Sequence, residues 1–107
     1  MDSRRLERVT DFVEAQLGSR ITLDELASAA ALSRFHFVRS FKITTGMSPG
    51  SFVASRRICR SQLLLVSTDE AIHAIARSVG FTSSSHFRRQ FKTHTGIGPS
   101  AYRECFR

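Results

Sequence analysis

His36-Phe37-Val38-Arg39-Ser40-Phe41-Lys42-Ile43-Thr44-Thr45-Gly46-Met47-Ser48-Pro49-Gly50 recurs fifty residues later as His86-Phe87-Arg88-Arg89-Gln90-Phe91-Lys92-Thr93-His94-Thr95-Gly96-Ile97-Gly98-Pro99-Ser100. Eight of these fifteen positions are identical (His, Phe, Arg, Phe, Lys, Thr, Gly and Pro), and Phe52 and Tyr102 continue the match. Upstream the offset becomes 49, aligning Leu26-Ala27 with Ile75-Ala76 and Leu32 with Phe81, so the second copy carries one extra residue within Thr82-Ser83-Ser84-Ser85. The chain therefore contains one unit twice.

Each copy reads as helix, turn, helix. In the first, Thr22-x-x-Glu25 is a capping box that starts a short helix with Leu23, Leu26, Ala27 and Ala30 on its apolar face. Ala31-Leu32-Ser33 makes the turn, with Ser33 as N-cap of a second helix whose Phe37 and Phe41 face the core at i and i+4. Gly46 stops that helix, and Ser48-Pro49 opens the next with a cap and an N1 proline. In the second copy Ile72, Ile75, Ala76 and Val79 line the short helix, Gly80-Phe81-Thr82 turns the chain, and Phe87 and Phe91 anchor the following helix. Gly96 ends it, and Gly98-Pro99 begins a last short helix containing Tyr102. Ala71 is a poor cap, so Thr68 or Asp69 is expected to start the short helix there.

Two more helices complete the expectation. Ser3 to Leu17 is amphipathic, with Leu6, Val9, Val13 and Leu17 on one face and Gly18 beyond. Pro49 to about Val66 is a continuous connector of roughly 25 Å. The expected fold is all-α: seven helices in two helix-turn-helix subdomains, residues 1–48 and 67–107, joined by a long central helix over 49–66.

Charge gives the fold a direction. The 107 residues carry a net charge of +7, yet six of nine acids (Asp2, Glu7, Asp11, Glu14, Asp24, Glu25) lie in the first quarter. No acid occurs from Leu26 to Thr68, where Arg34, Arg39, Lys42, Arg56, Arg57 and Arg60 stand. None occurs from Ala71 to Arg103 either, where Arg77, Arg88, Arg89, Lys92 and Arg103 stand. Such segregation suits a face that binds a polyanion. A short helix bracing a second, basic helix is also the plan by which side chains enter a major groove. With the Phe pairs turned inward, Arg34, Phe35, His36, Val38, Arg39 and Lys42 of the first unit face solvent or DNA. The second unit presents Ser83, Ser84, Ser85, His86, Arg88, Arg89 and Lys92. Arginine pairs with guanine, serine with bases or phosphates, and an aromatic packs on thymine methyls. Two such helices would reach successive grooves of double-stranded DNA if held about 34 Å apart. Arg57 is expected to be partly buried.

Other chemistry is poorly served. Cys59 and Cys105 lack ligand spacing, and His, Cys and acids never cluster, so no metal or other cofactor is expected. Ser83-Ser84-Ser85-His86 has no nucleophile elbow, and Gly96-x-Gly98 follows a helix rather than a strand. No enzyme is implied. The absence of a signal peptide, of an eighteen-residue apolar run and of paired cysteines points to a reduced, cytoplasmic protein without membrane contact.

Leu32-Ser33-x-x-x-Phe37-x-Arg39-x-Phe41-Lys42-x-x-x-Gly46-x-Ser48-Pro49 resembles the first helix-turn-helix of AraC/XylS-type transcription regulators. The stretch from Ile72 through Gly80-Phe81, Phe87-x-Arg89-x-Phe91-Lys92 and Gly96 to Pro99-x-x-Tyr102-Arg103 resembles that family's second-unit signature. The resemblance implies a seven-helix fold with the third and sixth helices reading DNA, through Phe35, Val38 and Arg39 in one and Ser84, Ser85, His86, Arg88 and Arg89 in the other. Well-known members carry tryptophan and glutamines where this chain has phenylalanine, valine and serines, so its DNA sequence does not carry over. Ser61 replaces an alanine usual on the connecting helix. The resemblance also implies activation, RNA polymerase as a partner, and, in longer members, an N-terminal effector and dimerisation domain. The initial Met fits a stand-alone protein or a piece beginning at a domain boundary. Two alternatives stand beside this reading. An alkyl-DNA repair regulator would need a Pro-Cys-His-Arg motif or four clustered cysteines, both missing here. A protein-interaction module that has lost DNA binding would have little use for the outward arginines.

Overall fold

The computed structural model describes all 107 residues as seven α-helices without a strand. They are α1 (Ser3–Ala15), α2 (Leu23–Ala29), α3 (Arg34–Thr45), α4 (Pro49–Ser67), α5 (Ile72–Ser78), α6 (Ser84–Thr95) and α7 (Pro99–Phe106). The chain divides into two compact units, Met1–Val53 and Ala54–Arg107, so the division falls inside α4 and the connecting helix belongs to both.

In the first unit Asp2 caps α1 by accepting the Arg5 N–H at 2.8 Å. The helix ends at Ala15, two residues before the expected Leu17, where the Gln16 N–H is shared between the Phe12 and Val13 carbonyls and the chain passes into a turn. Leu17 is nevertheless buried, from the turn rather than from the helix. The capping box of α2 forms in full: Glu25 donates its N–H to the Thr22 hydroxyl, and the Thr22 N–H is returned to the Glu25 carboxylate at 2.9 Å. Val9, Val13, Leu26, Ala30, Phe37 and Phe41 form the core, closed by Val53 from the start of α4.

The helix-turn-helix turn is a Schellman motif in both units. Leu32 N–H bonds the Ala27 carbonyl, and Phe81 N–H bonds the Ala76 carbonyl, each at 3.0 Å. The residue between helix and turn must be left-handed: Gly80 has φ 100° and Ala31 has φ 56°. Ser33 and Ser83 then cap α3 and α6 by accepting the N–H of His36 and His86. Since these caps lie fifty residues apart, the extra residue of the second copy is Thr82.

The second core gathers Ile58 and Leu65 of α4 with Ile75, Val79, Phe81, Phe87 and Phe91. Phe81 is a turn residue by position, but its ring lies 5.3 Å from that of Phe87 and is buried. α5 starts at Ile72 behind Ala71, with no side-chain cap, and not at Thr68 or Asp69. The Thr68 hydroxyl is committed elsewhere: it donates to the Leu64 carbonyl at 2.8 Å and accepts the Glu70 N–H. Thr45 and Thr95 finish α3 and α6 alike, each hydroxyl donating to the Phe41 or Phe91 carbonyl at 2.8 Å and accepting an N–H two residues on.

Candidate nucleic-acid interface

The inward set of each second helix leaves a matching outward set. On α3, burying Phe37 and Phe41 turns out Phe35, Val38, Arg39 and Lys42, a stripe at i, i+3, i+4 and i+7. On α6, burying Phe87 and Phe91 turns out Ser85, Arg88, Arg89 and Lys92 at the same spacing. Every one of these eight side chains is exposed. Arg39, Lys42, Arg88, Arg89 and Lys92 have no intramolecular ion pair. Cations left without an internal partner are suited to an external anion.

The remaining residues expected at the interface have more internal commitments. Arg34, the first residue of α3, bonds Asp24 of α2 through Nε at 2.9 Å, with both side chains largely exposed. Ser83 spends a lone pair on its cap but keeps a hydroxyl proton to donate. Ser84 is half-buried in the first turn of α6. His36 and His86 are exposed, and the His86 ring stands edge-on to Phe81 at 5.5 Å.

Three other basic residues behave differently. Arg103 reaches from α7 to the end of α4, donating Nε–H to the Leu65 carbonyl at 2.9 Å and Nη2–H to the Thr68 carbonyl at 3.2 Å. Arg107 pairs with Asp69. Arg57 is half-buried as expected, and desolvation pulls its pKa below the usual arginine value. Two contributors beside α3 carry no signal in the sequence pattern. Leu23, on the apolar face of α2, also lines a shallow apolar groove with Arg34, Phe35, Val38 and Arg39. Asp24 is the partner of Arg34, a relation ten residues apart that no helical period announces. No cluster of His, Cys, Asp or Glu suits a metal ion, and no helix is long and apolar enough to cross a membrane.

The sequence profile of a helix-turn-helix domain matches residues 26–104. The chain is also 32% identical over 98 residues to the HTH-type transcriptional activator AarP of Providencia stuartii, covering 92% of this chain and 73% of that protein. The chain belongs to the AraC/XylS family of transcription regulators. A second relative is an uncharacterized HTH-type transcriptional regulator of Haemophilus influenzae, 38% identical over 82 residues. That match covers 77% of this chain but only 28% of the relative's length, so the AraC-type domain spans a minor part of that protein. Among solved structures, the DNA-binding domain of AdpA, a global transcriptional factor determined in complex with a target DNA, superimposes with a TM-score of 0.88. It is 30% identical, and the match covers 99% of this chain and 95% of that one. The seven-helix, strand-free architecture is thus the AraC-type DNA-binding fold, and its relatives are regulators that bind DNA.

Proposed function

We propose that this AraC-type domain binds double-stranded DNA sequence-specifically, with α3 in one major groove and α6 in the next. In the first half-site Phe35, Val38 and Arg39 read bases. In the second, Ser84, Ser85, His86, Arg88 and Arg89 do so. Arg34, His36, Lys42, Ser83 and Lys92 hold the adjoining phosphates, which position each helix without adding sequence information. The supporting observation is the pair of outward stripes, identical in spacing and carrying cations without internal partners.

The stripes differ in chemistry, so the two half-sites differ in sequence and the domain binds in one orientation. Activation through contact with RNA polymerase is the regulatory sense we favour, supported by the likeness to AarP, a transcriptional activator. The domain acts inside the cytoplasm, alone or joined to an effector-sensing and dimerisation domain. In vitro selection from a random DNA pool tests the core of this reading. It is expected to enrich two dissimilar half-sites about ten base pairs apart. Enrichment of no sequence, or of one palindrome, rejects it. Run-off transcription from a promoter bearing the selected site then shows whether polymerase is stimulated.

A further inference from the structure

The outward stripes of α3 and α6 are equivalent in position but opposite in polarity at their first two residues. Phe35 is 72% exposed and Val38 37%, on the first two positions of the α3 stripe. At the equivalent places on α6 stand Ser85 and Arg88, and α6 exposes no large apolar side chain at all. Phe35 and Val38 do not stand alone, because Leu23 from α2 joins them in one shallow apolar groove. Arg34, paired with Asp24, and Arg39, with no acidic partner, flank that groove, so an occupant that is apolar at the centre and anionic beside Arg39 suits it.

The major groove of DNA has one apolar group on its base edges, the C5-methyl of thymine, set between two phosphate backbones. We infer that Phe35 and Val38 read thymine C5-methyl groups, so the first half-site is selected for methyl positions beside the base that Arg39 bonds, while the second is selected by hydrogen bonds from serine and arginine alone. This rests on the DNA-binding reading above and sharpens its chemistry. A neighbouring protein domain is a poorer occupant of the groove, since covering it would also bury the positive charge of Arg39, which has no acidic partner within the unit.

The test begins from the selected duplex, with the α3 half-site identified as the one whose preference relaxes in Arg39→Ala. Each thymine is then replaced singly by deoxyuridine, which keeps the O4 acceptor and the base pairing but removes the methyl. One or two replacements in the α3 half-site are expected to weaken binding about fourfold each, the worth of a buried methyl group. Replacements in the α6 half-site leave affinity unchanged. The penalty disappears in the Phe35→Ala, Val38→Ala double variant, whose folding is verified by circular dichroism and by retained preference at the α6 half-site. An α3 half-site without thymine, equal uracil penalties in both half-sites, or a penalty that persists in the double variant overturns the inference. Those outcomes leave the proposed function standing, whereas a selection that enriches no sequence removes both.

Discussion

Arg103 donates its Nε–H to the carbonyl of Leu65 at 2.9 Å, so a side chain of α7 serves as the C-terminal cap of α4. The last carbonyls of a helix lack intrahelical partners and carry the negative end of its dipole, and a guanidinium meets both needs. Arg103→Ala is expected to lower stability by about 1–3 kcal/mol. Arg103→Lys should recover only part of this, because an ammonium does not reproduce the fork that also reaches Thr68. Thermal unfolding of the two variants checks the prediction; unchanged midpoints in both would show that the clamp contributes nothing.

The helix-turn-helix turns offer a paired experiment on backbone strain. Ala31 holds φ 56° where the second unit uses Gly80 at φ 100°. Relieving a left-handed alanine outweighs the added freedom of the unfolded chain, so Ala31→Gly should stabilise the protein by about 0.5–1 kcal/mol. Gly80→Ala should cost about 1 kcal/mol or more. Urea titrations of both variants decide it, and shifts of the same sign would refute the account.

Ser61 is fully buried, and its hydroxyl donates to the Ile58 carbonyl at 2.7 Å. That bond turns back onto the helix itself, whose carbonyl already has its own N–H partner, so little is lost with the hydroxyl. Ser61→Ala gains helix propensity and is expected to be neutral or stabilising by up to about 0.5 kcal/mol. A destabilisation beyond about 1 kcal/mol would mean that the hydroxyl supports more than its own turn.

The Asp24 carboxylate holds Arg34 at the start of α3. Both groups are exposed, so Asp24→Asn should change stability by less than about 0.5 kcal/mol. It also removes a negative charge beside the interface and frees Arg34 for phosphate. Affinity for DNA is expected to rise about two- to fivefold at low salt, with the gain shrinking as salt rises. Fluorescence anisotropy at several salt concentrations measures this, and weaker binding would mean that the pair positions Arg34 productively.

Arg39 and Arg89 should separate from Lys42 and Lys92 in kind. Each Arg→Ala change is expected to cost about 1–3 kcal/mol on the selected site and to relax base preference within one half-site. Each Lys→Ala change should weaken selected and random DNA alike and reduce the salt slope by about 1. Equal losses from Arg39→Ala on selected and random duplexes would assign that residue to the backbone.

What could be read in advance depended on distance along the chain. The Thr22–Glu25 box, the serine caps, the Phe pairs and the stops at Gly46 and Gly96 all act within four residues, and all lie where expected. The start of α5 is hidden in the sequence because Thr68 has the right chemistry for a cap but is already bonded to the end of α4. The end of α1 is hidden likewise, because burial of Leu17 looks the same in a pattern whether the residue is helical or not. At the interface, the outward stripes follow from the inward Phe residues. The ties of Asp24 to Arg34 and of Arg103 to Leu65 depend on how helices pack, so neither pattern nor periodicity reveals them.

The two copies agree where side chains meet their own unit, as with the paired phenylalanines and the threonine hydroxyls that finish α3 and α6. They part at Phe35 and Ser85 and at Val38 and Arg88, positions that bear little of the folding load. With these residues reading bases as proposed, target preference is free to drift by single substitutions while the scaffold stays intact. A lineage of such domains can explore new promoters without passing through unfolded ancestors, and kinship in fold is a poor guide to kinship in target.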